Sequence, residues 1–377
     1  MKQKSPTVSA AVSLVLLAIG AAGDARAAFL DVLNKIDTIA STVPAKGDQN
    51  PYGVAIVPRT IGNLIQGHIL VSNFNNNGPN GGEQGTGTTI VQIAPGGHVS
   101  LFADIQAASL PGSCPGGVGL TTALAVLRSG WVIVGSLPTK DGTAATAQAG
   151  CLIVLNSNGK VVETLSGGSI NGPWDMTALD LGGFAVLFVT NVLNGTVAAN
   201  GNVVKNGTVV RILLFTPYRD GDSDSDDHLG FPREISRVVI ASGFDERTDP
   251  AALVVGPTGV GLGGDGYLYV ADSNENRIVR IADALFRNSS AGIGQVVSTG
   301  GAINDPLGLA IAQNGDILVT NGGDGNIVET THAGTQVAVK NIDTTGIGGG
   351  TLFGLAVTPQ GTVYFVNDGN NTLDLLH

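Results

Sequence analysis

Short apolar runs separated by glycine-bearing turns recur along the chain from about residue 50 to the end, and they recur in register. Residues 308–321 align without gaps on 259–272, 354–367 and 123–136, and 53–73 and 175–191 join them with short insertions at the turn. Each copy is a small apolar run, a turn carrying glycine, and a second run rich in Val, Ile and aromatic residues. A polar residue ends each: Asn73, Ser136, Asn191, Asp272, Asn321 and Asn367. Two such runs joined by a glycine turn form a β-hairpin. Two further apolar runs follow the hairpins, as at 89–93 with 99–102 and at 151–155 with 161–165.

Four antiparallel strands per repeat make the blade of a β-propeller, so the pattern predicts an all-β, six-bladed propeller. The sixth copy leaves room for one more strand, at 371–377. A blade left incomplete exposes unpaired edges. The alternating run at 36–42, otherwise unused, is expected to supply the outer strand of that blade and close the ring, with 29–35 leading into it as a short helix or loop.

Composition agrees with strands and narrows the partners. The 377 residues are 43% apolar, 13% charged and 5% aromatic, and 56 are glycine. Soluble domains usually hold about 7% Gly and about 25% charge; this excess of Gly argues against helices, where each interior Gly costs ~1 kcal/mol. Val, Ile and Leu throughout argue against disorder. A net charge of −11 with 19 Lys and Arg leaves no basic surface for phosphates, which excludes nucleic acid as a partner. Residues 1–27 read as an export signal: Lys2 and Lys4, an apolar stretch at 8–22 too short to span a bilayer, and a small-x-small site at Ala25-Arg26-Ala27. The expectation is a single propeller at 28–377, monomeric, periplasmic or secreted, and not inserted in a membrane.

The segment 267–281, with Asp272, Asn276, Arg277 and Ile278, resembles the NHL repeat, and the six-copy chain resembles six-bladed NHL-like propellers of exported bacterial proteins. The stretches 69–77 and 85–93 resemble a functionally unassigned branch of that group. The resemblance implies a fold and leaves the activity open, because propellers host many functions.

In a propeller the inner strand starts at the upper face, so the residues just before each copy surround the channel mouth: Tyr52, Thr122, Trp174, Thr258, Leu307 and Phe353. Calcium-dependent hydrolases of the gluconolactonase and paraoxonase kind hold their metal with Glu, Asn and Asp at comparable positions. None of the six here is a carboxylate or amide, and hard cations need several oxygen ligands. This departure from the pattern speaks against the central-calcium reading. Tyr52, Trp174 and Phe353 offer either a stacking mouth or a plug of core. Asn73, Asn191, Asp272, Asn321 and Asn367 either orient a ligand or cap their own loops as Asx turns. The loops at 74–88, 137–150 and 192–207 are long and nearly uncharged, with Glu83, Lys140, Asp141 and Lys205, and form a candidate recognition surface.

These features favour a binding or interaction module for a neutral or mildly cationic small molecule, a glycan or a peptide. The alternative is a lyase or hydrolase at the same mouth with Asp272 or Glu83 as base. His68, His98, His228, His332 and His377 fall on the lower face, the rim or the terminus, so the mouth holds no histidine base of the kind streptogramin lyases use. No organic cofactor is evident. Asp220, Asp222, Asp224 and Asp226 alternate as in a calcium loop, but Ser225 and Phe231 stand where Gly and Glu belong; the segment is a candidate structural calcium site or a solvated acidic loop. Cys114 and Cys151 both belong to loops of the upper face, and in an oxidising compartment are expected to pair.

Overall fold

The computed structural model describes residues 27–78, 82–217 and 230–377. The N-terminal stretch up to Arg26, read above as an export signal, and the candidate calcium residues Asp220, Asp222, Asp224 and Asp226 lie outside the described residues.

Six antiparallel sheets form, one per copy. From inner to outer strand, blade 1 is Gln49–Ile56, Ile69–Asn75, Thr89–Ile93 and Val99–Asp104. Blade 2 is Leu120–Val126, Val132–Ser136, Cys151–Leu155 and Val161–Ser166. Blade 3 begins with Pro173–Asp180 and Phe184–Asn191, continues into a long hairpin of Val204–Phe215 and Arg233–Asp249, and adds a fifth strand, Leu253–Val255. Blades 4 and 5 have inner strands Pro257–Leu262 and Pro306–Ile311. Blade 6 is Leu352–Val357, Val363–Asn367, Thr372–Leu376 and, outermost, the N-terminal strand Ile36–Ser41. Each inner strand packs on the next, and the last on the first.

The closure expected from the unused N-terminal run is what forms. Ile36 pairs with Leu376 and Ser41 with Thr372. A short 3₁₀ turn at Phe29–Val32 precedes the strand and buries Leu30 and Leu33 against Leu352, Phe365 and Leu376. Its free backbone N–H groups, at Phe29 and Leu30, donate to the two carboxylate oxygens of buried Glu329 at 2.7 and 2.8 Å. The carboxyl oxygens thereby satisfy donors that have no partner within the turn.

Each inner strand carries a register shift near its start. A bulge leaves one backbone N–H without its ladder partner, and in blades 1, 3 and 5 a hydroxyl repairs it. Ser72 Oγ accepts from the N–H of Gly53 (3.0 Å) and donates to the carbonyl of Thr121 in blade 2 (2.8 Å). Thr190 does the same between Asp175 and the Thr258 carbonyl, and Thr320 between Gly308 and the Phe353 carbonyl. One hydroxyl thus satisfies its own blade and pins the next.

Candidate functional site

The central channel has two unlike ends. At the upper end Tyr52, Trp174 and Phe353, the three aromatic mouth residues, are only 2–3% exposed. Tyr52 is sandwiched, with its ring centroid 4.4 Å from Phe74 and 3.9 Å from Phe353, both near parallel. The fifth strand of blade 3 lies over them: Leu253, Val254 and Val255 join the same apolar cluster, and Trp174 Nε1–H donates to the Val254 carbonyl at 3.0 Å. Leu137 and Val192, from the long loops of blades 2 and 3, pack into that cluster, and the Gln84 side chain of blade 1 donates to the Pro250 carbonyl. The long loops and the blade 3 extension together make an apolar cap.

The hairpin bearing this cap is held at its tip by Asp249, whose Oδ1 accepts from the N–H groups of Ala251 (2.8 Å) and Ala252 (3.1 Å). Leu253 follows with φ +64 and is fully buried. A left-handed conformation costs a bulky L-residue roughly 1–2 kcal/mol. Its apolar contacts offset that cost.

The polar residues that end the second strands are fully buried and hydrogen-bond within the chain, with Asn73 Oδ1 and Asp272 Oδ1 left without a partner among the described residues. Asn73 donates to the Thr42 carbonyl and to Thr89; Asn321 donates to the Ala302 carbonyl and accepts from the Asn304 N–H. Asn191 accepts from the Asn171 N–H, and Asn367 accepts from the Gly369 N–H while donating to Asp343. Asp272 forms an ion pair with Arg277 at 2.7 Å; burial raises its pKa to about 6, with Arg277 opposing the rise. Glu83 is exposed on its loop and accepts from Asn76. Cys114 and Cys151 are joined in a disulfide with Cα atoms 5.2 Å apart, tying the loop that enters blade 2 to its third strand.

The lower end is different. A cavity of about 300 Å³ runs among the inner strands, lined by the lower parts of all six, and the residues towards its lower end, such as Val126, Ala178, Leu262 and Ile311, are partly exposed. Among the described residues its lining is Gly, Ala and aliphatic side chains with Met176, apart from Thr122, Thr177 and one ionisable side chain, Asp175. Asp175 is 8% exposed, and its Oδ2 accepts from the Val260 N–H of blade 4 at 3.1 Å. Burial pushes its carboxyl up to about 8, while the backbone N–H groups of Met176 and Val260 pull the other way.

Asp175 was not singled out from the sequence, although a signal for it was present. It occupies the first aligned position of the repeat, where the other copies have Gly53, Ala123, Gly259, Gly308 and Gly354. The small residues are required there. A Cβ at Gly308 would strike the Phe353 carbonyl, one at Gly354 the Tyr52 carbonyl, and one at Gly259 the backbone of Leu309. Between blades 3 and 4 a full side chain fits at this level. A break in an otherwise uniform column of the repeat therefore marks the one carboxyl that the described residues place in the channel.

Among the described residues no group of three or more His, Cys, Asp or Glu is placed to hold a metal ion. Among them, too, no helix is long and apolar enough to cross a membrane.

No protein-family model matches this chain, and no curated protein matches it in sequence. Solved structures do match it in shape. A protein described as a putative gluconolactonase superposes with a TM-score of 0.53 at 15% identity, over 93% of this chain and 94% of that one. A putative oxidoreductase (glucose dehydrogenase) from Thermus thermophilus gives 0.52 at 15% identity, over 91% and 99%. A gluconolactonase from Xanthomonas campestris gives 0.51 at 13%, over 87% and 86%. At such identities the likeness is one of fold.

Proposed function

We propose that this protein is an exported, monomeric binding propeller of NHL-like type that takes a small molecule into its central channel from the lower face. The observation that carries the reading is the asymmetry of the channel: a cavity of about 300 Å³ with one end capped by packed aromatics and the other bordered by partly exposed residues. That volume lies at the small end of ligand pockets, which are typically about 300–1,000 Å³, apolar, and furnished with few polar groups. Here those groups are Thr122, Thr177 and Asp175. The disulfide supports export, since such bonds persist in oxidising compartments.

The upper face supports a second reading, in which the cap swings aside and a ligand stacks on Tyr52, Trp174 and Phe353 with Asn73, Asn191, Asp272, Asn321 and Asn367 around it. The strained, buried Leu253 favours it, because a segment held in a costly conformation is closer in energy to an alternative one. Catalysis of lyase or hydrolase type, with Asp272 or Glu83 as base, belongs to this second reading.

A small-molecule screen followed in the methyl NMR spectrum separates the two. Channel binding is expected to shift Leu124, Val126, Leu309, Ile311 and Leu355, which line the cavity. Shifts confined to Leu137, Val192 and Val254 would move the site to the upper face. No shifts from any compound would contradict both.

A further inference from the structure

The channel reading says where a small molecule enters; the surroundings of Asp175 say what kind. The carboxyl touches donors: Val260 N–H lies 3.1 Å from Oδ2, and Met176 N–H also favours the ionised form. Among the described residues no Lys, Arg or His lines the cavity, and no other Asp or Glu does. The carboxyl is thus arranged as an anion but lacks a counter-charge, which is why burial keeps a proton on it up to about pH 8. The repeat does not demand a side chain there, because Gly or Ala fills the same position in the other five blades, and the protein offers this one backbone N–H donors alone. A buried carboxyl without a cation is costly, so its presence points to a partner that arrives from outside.

We propose that the central channel binds a small protonated amine with an apolar tail, its ammonium group forming an ion pair with Asp175 and its tail packing among Leu124, Val126, Val260, Leu309 and Leu355. The proposal rests on the channel reading. A primary ammonium suits the site because it supplies both the charge and the donors that the carboxylate can accept, while the apolar wall excludes water that would screen the pair. The chain's net charge of −11 draws cations towards the protein. A neutral ligand would leave the carboxyl protonated; a metal ion would need several more oxygen side chains than Thr122, Thr177 and Asp175 provide.

The proposal includes a proton balance. At pH 6 the free carboxyl carries a proton and the amine arrives as its ammonium, so forming the ion pair releases one proton from Asp175 to solvent. Affinity for the ammonium is therefore expected to rise with pH towards about 8 and then level off until the amine itself deprotonates. No other titratable side chain among the described residues lines the cavity to blur this dependence.

The test compares n-butylammonium with its neutral isostere 1-butanol, by calorimetry or ligand-observed NMR, on the wild-type chain and on Asp175→Asn. Expected are at least tenfold tighter binding of the ammonium than of the alcohol by the wild type, loss of that preference in D175N, and alcohol affinity unchanged within twofold. Proton release at pH 6, measured in buffers of different ionisation enthalpy, should approach one per ammonium bound. Equal affinity for both probes in the wild type, without proton release, would overturn the counter-ion role while leaving the channel as a site. Absence of binding by either probe would remove the channel reading as well. The proton count needs only the wild-type chain, so the proposal stays testable even if the variant folds poorly.

Discussion

The two ends of the central channel come from the same six inner strands, but opposite kinds of residue finish them. The upper end carries Tyr52, Trp174 and Phe353 beneath Leu253, Val254 and Val255, and is closed by apolar packing. Below the cap the channel is lined by Gly, Ala and aliphatic side chains such as Leu124, Leu309 and Leu355, with one carboxyl, Asp175, between blades 3 and 4 at the level just beneath Trp174. Both specialised features trace to blade 3, whose extended hairpin supplies the cap and whose inner strand supplies Trp174 and Asp175 side by side. A repeated scaffold gains its chemistry where one repeat departs from the others. Trp174 and Asp175 both lie in the bulge between Pro173 and Met176, and there Trp174 joins the cap cluster while Asp175 reaches the channel and Val260 of the neighbouring blade.

The difference between the two ends can be broken by substitution, starting with the sealed one. Trp174→Ala and Phe353→Ala each remove a buried ring from the cap, and each is expected to cost about 3–5 kcal/mol, read as a fall in the chemical-denaturation midpoint. A loss below about 1 kcal/mol in both would mean that the upper end is not packed as described. Next in size is the disulfide, which spans 37 residues of sequence on the capped side. Its removal in the Cys114→Ser, Cys151→Ser double variant is expected to cost about 2–4 kcal/mol. Thiol titration of the denatured, unreduced wild-type chain should find no free thiol.

At the open end the expected sign reverses. A carboxyl whose folded pKa is raised contributes stability that is fully present below its unfolded value near 4 and is lost as pH rises through the folded value, here about 8. Relative to Asp175→Asn, the wild type should therefore lose on the order of 5 kcal/mol of stability as pH rises from 4 to 9, with most of the change between about 4 and about 8. Burial also raises Glu246 and Asp368 to about 7, so the difference between the two proteins across pH, rather than either curve alone, isolates Asp175. A pH-independent difference would mean that Asp175 titrates normally. The smallest effect concerns the cap backbone. Leu253→Gly should be more stable than Leu253→Ala by about 1 kcal/mol, because glycine adopts φ +64 without a Cβ penalty. The reverse order would place Leu253 outside the left-handed region.

The sequence made the ring legible because its signal is redundant: hairpin patterns repeat, and an unpaired third strand in the last copy demands an outer partner. The run at 36–42 was identifiable on that ground alone. The same logic located Tyr52, Trp174 and Phe353 at the upper end of the channel. It did not reveal that blade 3 folds a fifth strand over them, since Leu253–Val255 lies in an insertion with no counterpart in the repeat. The Asn and Asp residues at the second-strand ends were identifiable as a ring, but their hydrogen bonds to Thr42, Ala302 and Asn171 depend on how blades meet, which local pattern does not encode. Asp175 was legible in principle. Its column in the repeat reads Gly, Ala, Asp, Gly, Gly, Gly, and only the space between blades explains why that matters.

The most direct measurement of the central claim is the titration of the Asp175 carboxyl carbon by ¹³C NMR, with Asp175→Asn to assign the signal. The expected midpoint in the free protein is about 8, and n-butylammonium should move it downward as the ion pair forms. A midpoint near 4, unmoved by the amine, would contradict the account.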